Sequence, residues 1–279
     1  MPYKIIRKEN LNTSVFLMEI EAPLVAKKAQ PGQFIILRID EKGERVPFTI
    51  SDYDAEKGTV TIVVQVVGKT TRDLQKCESG TELLDFVGPL GVPTDLENKK
   101  RVAVIGGGLG TAIAYPQAKK LKEKGAEVTV IAGFKNSEFV ILEDELAKVS
   151  DRLIITTDDG SNGLKGFVTD RLSELLENGE SFDEVIAIGP LMMMRAVSNL
   201  TKEYDIPTTV SMNPVMIDGT GMCGGCRVIV DGEVKFACVD GPDFDGHKID
   251  WDIALNRQNM FKDYEKHSFA EGQCRLTNV

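Results

Sequence analysis

Short apolar runs alternate with turn residues over the first hundred positions of the chain. Lys4–Arg7, Val15–Ala22, Phe34–Ile39, Phe48–Ser51, Val60–Val67 and Glu82–Val87 have the length and β-branched or aromatic content of strands. Pro31-Gly32, Lys42-Gly43-Glu44, Lys57-Gly58 and Gly88-Pro89-Leu90-Gly91 separate them. Six short strands at this spacing predict an antiparallel β-barrel.

The period changes after Asn98-Lys99-Lys100. Strand patterns at Val102–Ile105, Glu127–Ala132, Leu153–Thr156 and Glu184–Ile188 now alternate with helix patterns at Tyr115–Lys124, Leu142–Lys148, Val168–Glu177 and Met192–Tyr204. That order predicts a doubly wound parallel α/β sheet. From Met212 the pattern breaks again into a Gly- and Cys-rich segment. A hairpin there joins Val228–Val230 to Glu233–Ala237 through Asp231-Gly232, a type I′ turn signal. The expected organisation is a barrel over 1–98, an α/β domain over 99–211 and a small C-terminal segment with a tail over 212–279.

Composition narrows the function classes. The 279 residues are enough for two domains and an appendage. A net charge of −10 argues against nucleic acid as a partner. No apolar run approaches the roughly 20 residues that span a bilayer, and MPYKIIRKEN is not a signal peptide. Three of the five cysteines fall within sixteen residues, as for a metal site in a reducing compartment. The chain therefore reads as cytoplasmic.

The most specific chemical signal is Asp218-Gly-Thr-Gly-Met-Cys223-Gly-Gly-Cys226, followed by Cys238. Glycines 219, 221, 224 and 225 let the backbone wrap closely around a compact inorganic core. Cys223 and Cys226 flank two small residues and are spaced to place both sulfurs on one iron, with backbone N–H groups facing the sulfides. The hairpin returns Cys238 to the same place. Plant-type [2Fe–2S] sites follow C-x₄-C-x₂-C…C, and here Asp218 stands in the first position. A [2Fe–2S] cluster, a zinc knuckle and a plain buried Cys cluster are the three readings. Cys274 is an alternative fourth ligand to Asp218, although both it and Cys77 read as ordinary small apolar residues.

Strand, glycine turn and helix pattern follow one another in Arg101–Ile105 and Gly106-Gly107-Gly108-Leu109-Gly110-Thr111. This is the context in which backbone amides hold a pyrophosphate, although Thr111 replaces the last glycine of G-x-G-x-x-G. The acid expected about 20 residues on is missing, and Lys135 is present near that place. Gly189-Pro190 followed by Met192, Met193 and Met194 ends another strand, and the methionines fit a ligand contact or core packing. Thr157–Ser161 is a ribose contact or a simple turn. In the barrel, Arg45–Ser51 names no chemistry, while Gly68-Lys69-Thr70-Thr71 offers donors for a pyrophosphate or a polar hairpin tip.

Taken in order, these motifs resemble the ferredoxin-reductase superfamily. Within it they are most similar to the small FAD/[2Fe–2S] subunits of NADH-dependent ferredoxin:NADP oxidoreductase, also known as sulfide dehydrogenase. These subunits are related to the dihydroorotate dehydrogenase electron-transfer subunit, which has cysteine where this chain has Asp218. The resemblance implies that the barrel holds FAD. Pro47, Phe48 and Thr49 would line the isoalloxazine, with the Thr49 hydroxyl near its reactive nitrogen. Val64, Gln65, Gly68, Lys69, Thr70 and Thr71 would hold the ribityl and pyrophosphate portion. Gly106, Gly107, Gly108, Gly110 and Thr111 would take the dinucleotide of NAD(H), bordered at the nicotinamide by Gly189, Pro190 and Met193. Asp218, Cys223, Cys226 and Cys238 would hold the cluster. Two departures stand out: Arg45 lies one place early for the superfamily's Arg-x-Tyr-Ser, and Ile188 replaces the cysteine that often precedes Gly-Pro.

The function so implied is hydride transfer between NAD(H) and FAD, then single-electron relay through [2Fe–2S] to a larger flavin- and iron–sulfur-bearing subunit in a heterodimer. The complex would couple NADH, NADP and ferredoxin, with electron bifurcation and polysulfide reduction among the family's reactions. The alternatives are a dihydroorotate dehydrogenase electron-transfer subunit and, in another class, a zinc-dependent regulatory binding protein on a reductase fold. Trp251, Phe261, Tyr264 and Phe269 predict that the tail packs on the body or the partner.

Overall fold

The computed structural model describes residues 3–260. Its N-terminal region contains β1 (Tyr3–Asn10), β2 (Val15–Glu21), β3 (Phe34–Arg38), β4 (Val46–Thr49), β5 (Asp52–Asp54), β6 (Thr59–Gln65), β7 (Glu82–Leu83) and β8 (Asp85–Leu90). One antiparallel sheet has the order β5-β6-β2-β1-β7 and another the order β4-β3-β8. β4 and β5 are halves of one bent strand, as are β7 and β8. The Ser51 N–H donates to the Thr61 carbonyl at 2.9 Å, and the Leu84 N–H to the Arg38 carbonyl at 3.1 Å. Each bent strand edges both sheets, so the two sheets join into a barrel. Alternate residues turn inward: Phe16, Met18 and Ile20 of β2 pack against Ile35 and Leu37 of β3 and Phe86 of β8, all essentially without solvent contact.

Two short helices, α1 (Pro23–Ala26) and α2 (Lys69–Lys76), fill barrel connections. No apolar period announces α2, because Leu74 is its one buried large apolar residue.

The α/β domain follows as β9 (Arg101–Gly107), α3 (Gly110–Glu123), β10 (Glu127–Phe134), α4 (Glu143–Lys148), β11 (Arg152–Thr157), α5 (Val168–Glu177), β12 (Glu184–Ile188), α6 (Leu191–Glu203) and β13 (Thr208–Ser211). These strands are parallel in the order β11-β10-β9-β12-β13, so the chain reverses direction across the sheet between β9 and β12. α3 covers one face through Ala112, Ala114, Ala118 and Leu121. α5 and α6 cover the other through Leu172, Leu175, Met194 and Val197. α3 begins five residues before its sequence pattern does; Pro116, inside the helix, removes one N–H and interrupts the period.

The remaining elements are β14 (Arg227–Val230), β15 (Glu233–Phe236), β16 (Asp243–Asp245) and α7 (Trp251–Asn259). The predicted turn is present, with Asp231 and Gly232 at φ of 53° and 77°. β16 adds to the α/β sheet antiparallel to β13, pairing Asp243 with Ser211. Cys226, Val228, Ala237, Cys238 and Trp251 share one buried core with α5, α6 and barrel residues Phe34 and Ile36. The boundary at 211/212 therefore marks a change of sequence pattern without a separate core. Trp251 is buried and its indole N–H donates to the Gly246 carbonyl at 3.1 Å; Phe261, Tyr264, Phe269 and Cys274 lie outside the described residues. Among those described, no helix is long and apolar enough to cross a membrane.

Candidate functional site

The carboxyl ends of β9, β10, β12 and β13 open toward the barrel, and between them lies a cavity of about 860 Å³. That is near the upper end of the range for small-molecule and cofactor sites, at the edge where open α/β sheets bind ligands.

Close packing explains the glycines on its α/β side. A Cβ on Gly110 would fall 2.3 Å from the Ile188 carbonyl oxygen, and one on Gly107 only 2.4 Å from the Met193 sulfur. One on Gly106 would meet Thr111 Cα at 2.6 Å. The loop after β9 and the Gly189-Pro190 turn thus lie directly against each other. Gly107, Gly108, Gly110, Gly189 and Pro190 line the cavity. Thr111 takes the last glycine place as a packing residue: it has no solvent exposure, and its hydroxyl oxygen is buried without a partner. Among the methionines, Met194 is core, Met192 is 60% exposed and Met193 abuts Gly107. Lys135 lines the cavity. Thr157 is buried and its hydroxyl donates to Asn162 Oδ1 at 2.8 Å, tying the Thr157–Ser161 loop into a closed turn.

On the barrel side the two-residue period sorts the candidates. Pro47 and Thr49 line the cavity, whereas Phe48 between them packs on the barrel core. Gln65 lines it, whereas the Val64 side chain is buried inside the barrel. Gly68, Lys69, Thr70 and Thr71 follow Val67, another lining residue, and open α2. The side chains of Lys69, Thr70 and Thr71 are engaged by other groups of the protein. The Thr71 hydroxyl accepts from the Val67 and Gly68 N–H groups, each at 3.0 Å, and Thr70 donates to Glu44 at 2.9 Å. Arg45 pairs with Asp85 at 2.9 Å.

Sequence reasoning missed the third wall. Ser211, Met212, Asn213, Pro214 and Pro242 line the cavity from the start of the C-terminal segment, and Phe34 lines it from β3. The usable signal was the Asn213-Pro214 break, which marks a loop at a strand's carboxyl end.

That wall runs straight into the cysteine loop. Gly219, Gly221 and Gly224 all have positive φ, between 66° and 84°, which glycine adopts without strain. The Asp218 carboxylate accepts from the Thr220 N–H at 2.6 Å, the Thr220 hydroxyl at 2.5 Å and the Cys223 N–H at 2.8 Å. The Thr220 hydroxyl above all, then the Cys223 thiol and these amides, holds its pKa well below the usual carboxylate range. Cys226 and Cys238 are buried side by side, with the Cys238 N–H 3.4 Å from the Cys226 sulfur. Burial, reinforced by the Cys226 thiol, pushes the Cys238 thiol up to about 12. Such a thiol ionises once a cation compensates it.

The four candidate ligands therefore fall into two pairs, Asp218 with the exposed Cys223 and Cys226 with Cys238. The x₂ spacing had grouped Cys223 with Cys226; tertiary contact regroups them. Among the described residues no three such side chains converge as they would on a single metal ion. Two pairs with a glycine-rich loop between them suit a two-iron cluster.

Comparison with known proteins accords with this geometry. Residues 2–93 match the family described as oxidoreductase FAD-binding domain. Residues 213–250 match the iron–sulfur cluster binding domain of dihydroorotate dehydrogenase B. A Thermotoga maritima protein, called a dihydroorotate dehydrogenase B (NAD(+)) electron transfer subunit homolog, is 46% identical over 95% of this chain and 94% of its own. The chain belongs to the dihydroorotate dehydrogenase B electron-transfer subunit family. A Fusobacterium nucleatum member of that family is 33% identical over 81% of this chain and 89% of its own. The chain also superimposes on a solved chain of an NADH-dependent reduced ferredoxin-NADP oxidoreductase, studied for flavin-based electron bifurcation. The TM-score is 0.91 at 45% identity, covering 97% of this chain and 98% of that one. Phthalate dioxygenase reductase, at 18% identity and a TM-score of 0.60, shares the fold. This family member is thus an oxidoreductase electron-transfer subunit with an FAD-binding and an iron–sulfur-binding domain.

Proposed function

We propose that the chain is the small subunit of an NADH-dependent ferredoxin:NADP oxidoreductase, passing electrons between NAD(H) and a larger partner through FAD and a [2Fe–2S] cluster. The observation that carries this reading is the position of Phe34. It lines the cofactor cavity and packs in the same buried core as Cys226 and Cys238. The two cofactor sites are thereby joined through the protein interior.

When bound, FAD supplies two-electron exchange with nicotinamide and one-electron exchange with the cluster. The chain's residues position and exclude. Pro47 and Thr49, which line the cavity from the barrel, would hold the flavin, the Thr49 hydroxyl being available as a donor. Gln65, the backbone of Val64 and the α2 start at Gly68, Lys69, Thr70 and Thr71 serve the rest of FAD. Gly107, Gly108 and Gly110, with Gly189 and Pro190, would take the nicotinamide dinucleotide, with Gly106, Thr111 and Met193 packing behind them. Asp218, Cys223, Cys226 and Cys238 hold the cluster. Apolar residues surround the cluster loop in the open: Met222 is 89% exposed, Ile217 62% and Val215 48%. Such a patch is suited to a partner subunit, and its exposure beside Cys223 would bring the cluster to the interface.

The names of the relatives favour a second reading, a dihydroorotate dehydrogenase electron-transfer subunit; the large subunit that copurifies distinguishes the two. The primary test is anaerobic purification with flavin and iron assays and an EPR spectrum after NADH reduction. Equimolar FAD, two irons per chain and a reduced [2Fe–2S] signal, obtained faster with NADH than NADPH, are expected. Zinc without flavin would refute the proposal.

A further inference from the structure

α7 is the element that the functional reading leaves unused, and it lies against the cluster loop. Its Arg257 Nη2 donates to the Gly225 carbonyl at 2.9 Å, inside the Cys223–Cys226 segment. On the other side of the same residue, the Gly225 N–H points to the Cys223 sulfur at 3.4 Å. Arg257 is half-buried, and its Nε is withdrawn from solvent without a partner. Between α7 and the loop runs a cavity of about 260 Å³ bordered by Pro214, Ile217, Gly225 and Arg257.

Other charges nearby are already engaged. Arg195 pairs with Asp252 at 3.0 Å and Lys235 with Glu233 at 2.8 Å. Asp240 accepts from the Phe236 N–H, and Asp218 from Thr220 and Cys223. Arg227, at the start of β14, is the other cation bordering the small cavity, and it is exposed.

The geometry points to Arg257 as a positioning residue of the iron–sulfur site, one that turns the Gly225 carbonyl away from the sulfurs and sets the cluster's reduction potential through its charge. This rests on the cluster assignment of the preceding section. Carbonyl oxygens near thiolates repel them, while N–H groups stabilise them. Holding the Gly225 oxygen outward leaves the Gly225 N–H toward Cys223. Reduction adds one negative charge to a centre whose four protein ligands are anionic, so a fixed guanidinium favours the reduced form.

The test is an EPR-monitored redox titration of the purified complex carrying Arg257→Gln or Arg257→Lys, with iron content measured on the same samples. R257Q with full iron is expected to titrate at least tenfold harder to reduce, a downward shift of about 59 mV for one electron. R257K is expected to stay close to wild type. A clamp without an electrostatic role would lower iron content or broaden the signal and leave the midpoint in place. R257Q holding full iron at an unchanged midpoint would therefore overturn the inference. Should R257Q lose iron, R257K decides: a midpoint fallen by the same tenfold equivalent refutes the charge role, and loss of iron from both variants refutes it in favour of a clamp. Absence of the [2Fe–2S] signal from wild type would instead sink the functional reading.

Discussion

At the scale of single residues, Asp243 shows what three segments impose on one side chain. Its carboxyl accepts from the Thr94 hydroxyl at 2.5 Å, and its Oδ1 is buried without a partner. Among the described residues no cation faces it; Glu184 is the charge it senses. Desolvation raises its pKa from 3.8 to about 6. The folded chain thus binds a proton more tightly than the unfolded one. The contribution of this group to stability is full below pH 4, declines as pH rises through the interval to about 6, and stays lost above it. Asp243→Asn removes that loss, so the variant should be more stable than wild type above pH 6 by about 2 kcal/mol after allowing for the part of the residue that meets solvent. Thermal melts of both proteins between pH 4 and 8 check this; parallel curves would refute it. At the cluster loop, Cys226→Ser and Cys238→Ser are each expected to abolish iron binding while FAD is retained. Asp218→Ala should change the EPR spectrum or lower iron content, and an unaltered spectrum would remove Asp218 as a ligand.

At the scale of elements, the contact between α3 and the β12 turn is the most demanding. A Cβ at Gly110 would strike the Ile188 oxygen and Gly189 Cα, both backbone atoms that cannot rotate away. Gly110→Ala should therefore cost about 1–3 kcal/mol, as overpacking does, and weaken NADH binding, read by chemical denaturation and by flavin-reduction kinetics. Periodicity exposed most of the elements: the longer barrel strands, the parallel strands β9 to β12 and the β14–β15 hairpin show in the pattern. It failed at α1, β5, α2, β13, β16 and α7. α2 offers only Leu74 to a core, and β13 and β16 are too short for a period to repeat. α7 buries Trp251 alone.

At the scale of the molecule, the cavity between barrel and α/β sheet belongs to no one segment. Barrel, α/β sheet and cysteine segment each contribute a wall, and they are tied by Lys119–Asp52 at 2.7 Å, by the Val92 N–H to Gly241 carbonyl bond at 2.6 Å and by Thr94–Asp243. A ligand bound across such a junction should stabilise all three together. At free FAD of one hundred times its dissociation constant, the gain over apoprotein is about 2.7 kcal/mol. Calorimetry is expected to show a single transition moving upward with FAD. A shift confined to one of two separate transitions would refute the shared cavity.

The amino-acid sequence by itself determined the local elements and the reactive inventory: strand and helix periods, the glycine turn after β9 and the candidate ligands Asp218, Cys223, Cys226 and Cys238. These depend on spacing along the chain, where neighbours in sequence are neighbours in space. Tertiary structure decided which members of each motif face the site. It turned Phe48 and Val64 into the barrel, made Thr111 a packing residue, paired Cys226 with Cys238 and brought Ser211–Pro214 to the cavity. The reason is physical: a two-residue pleat hides half of every strand motif, and burial of thiols and carboxyls is set by segments hundreds of residues apart that only folding brings together.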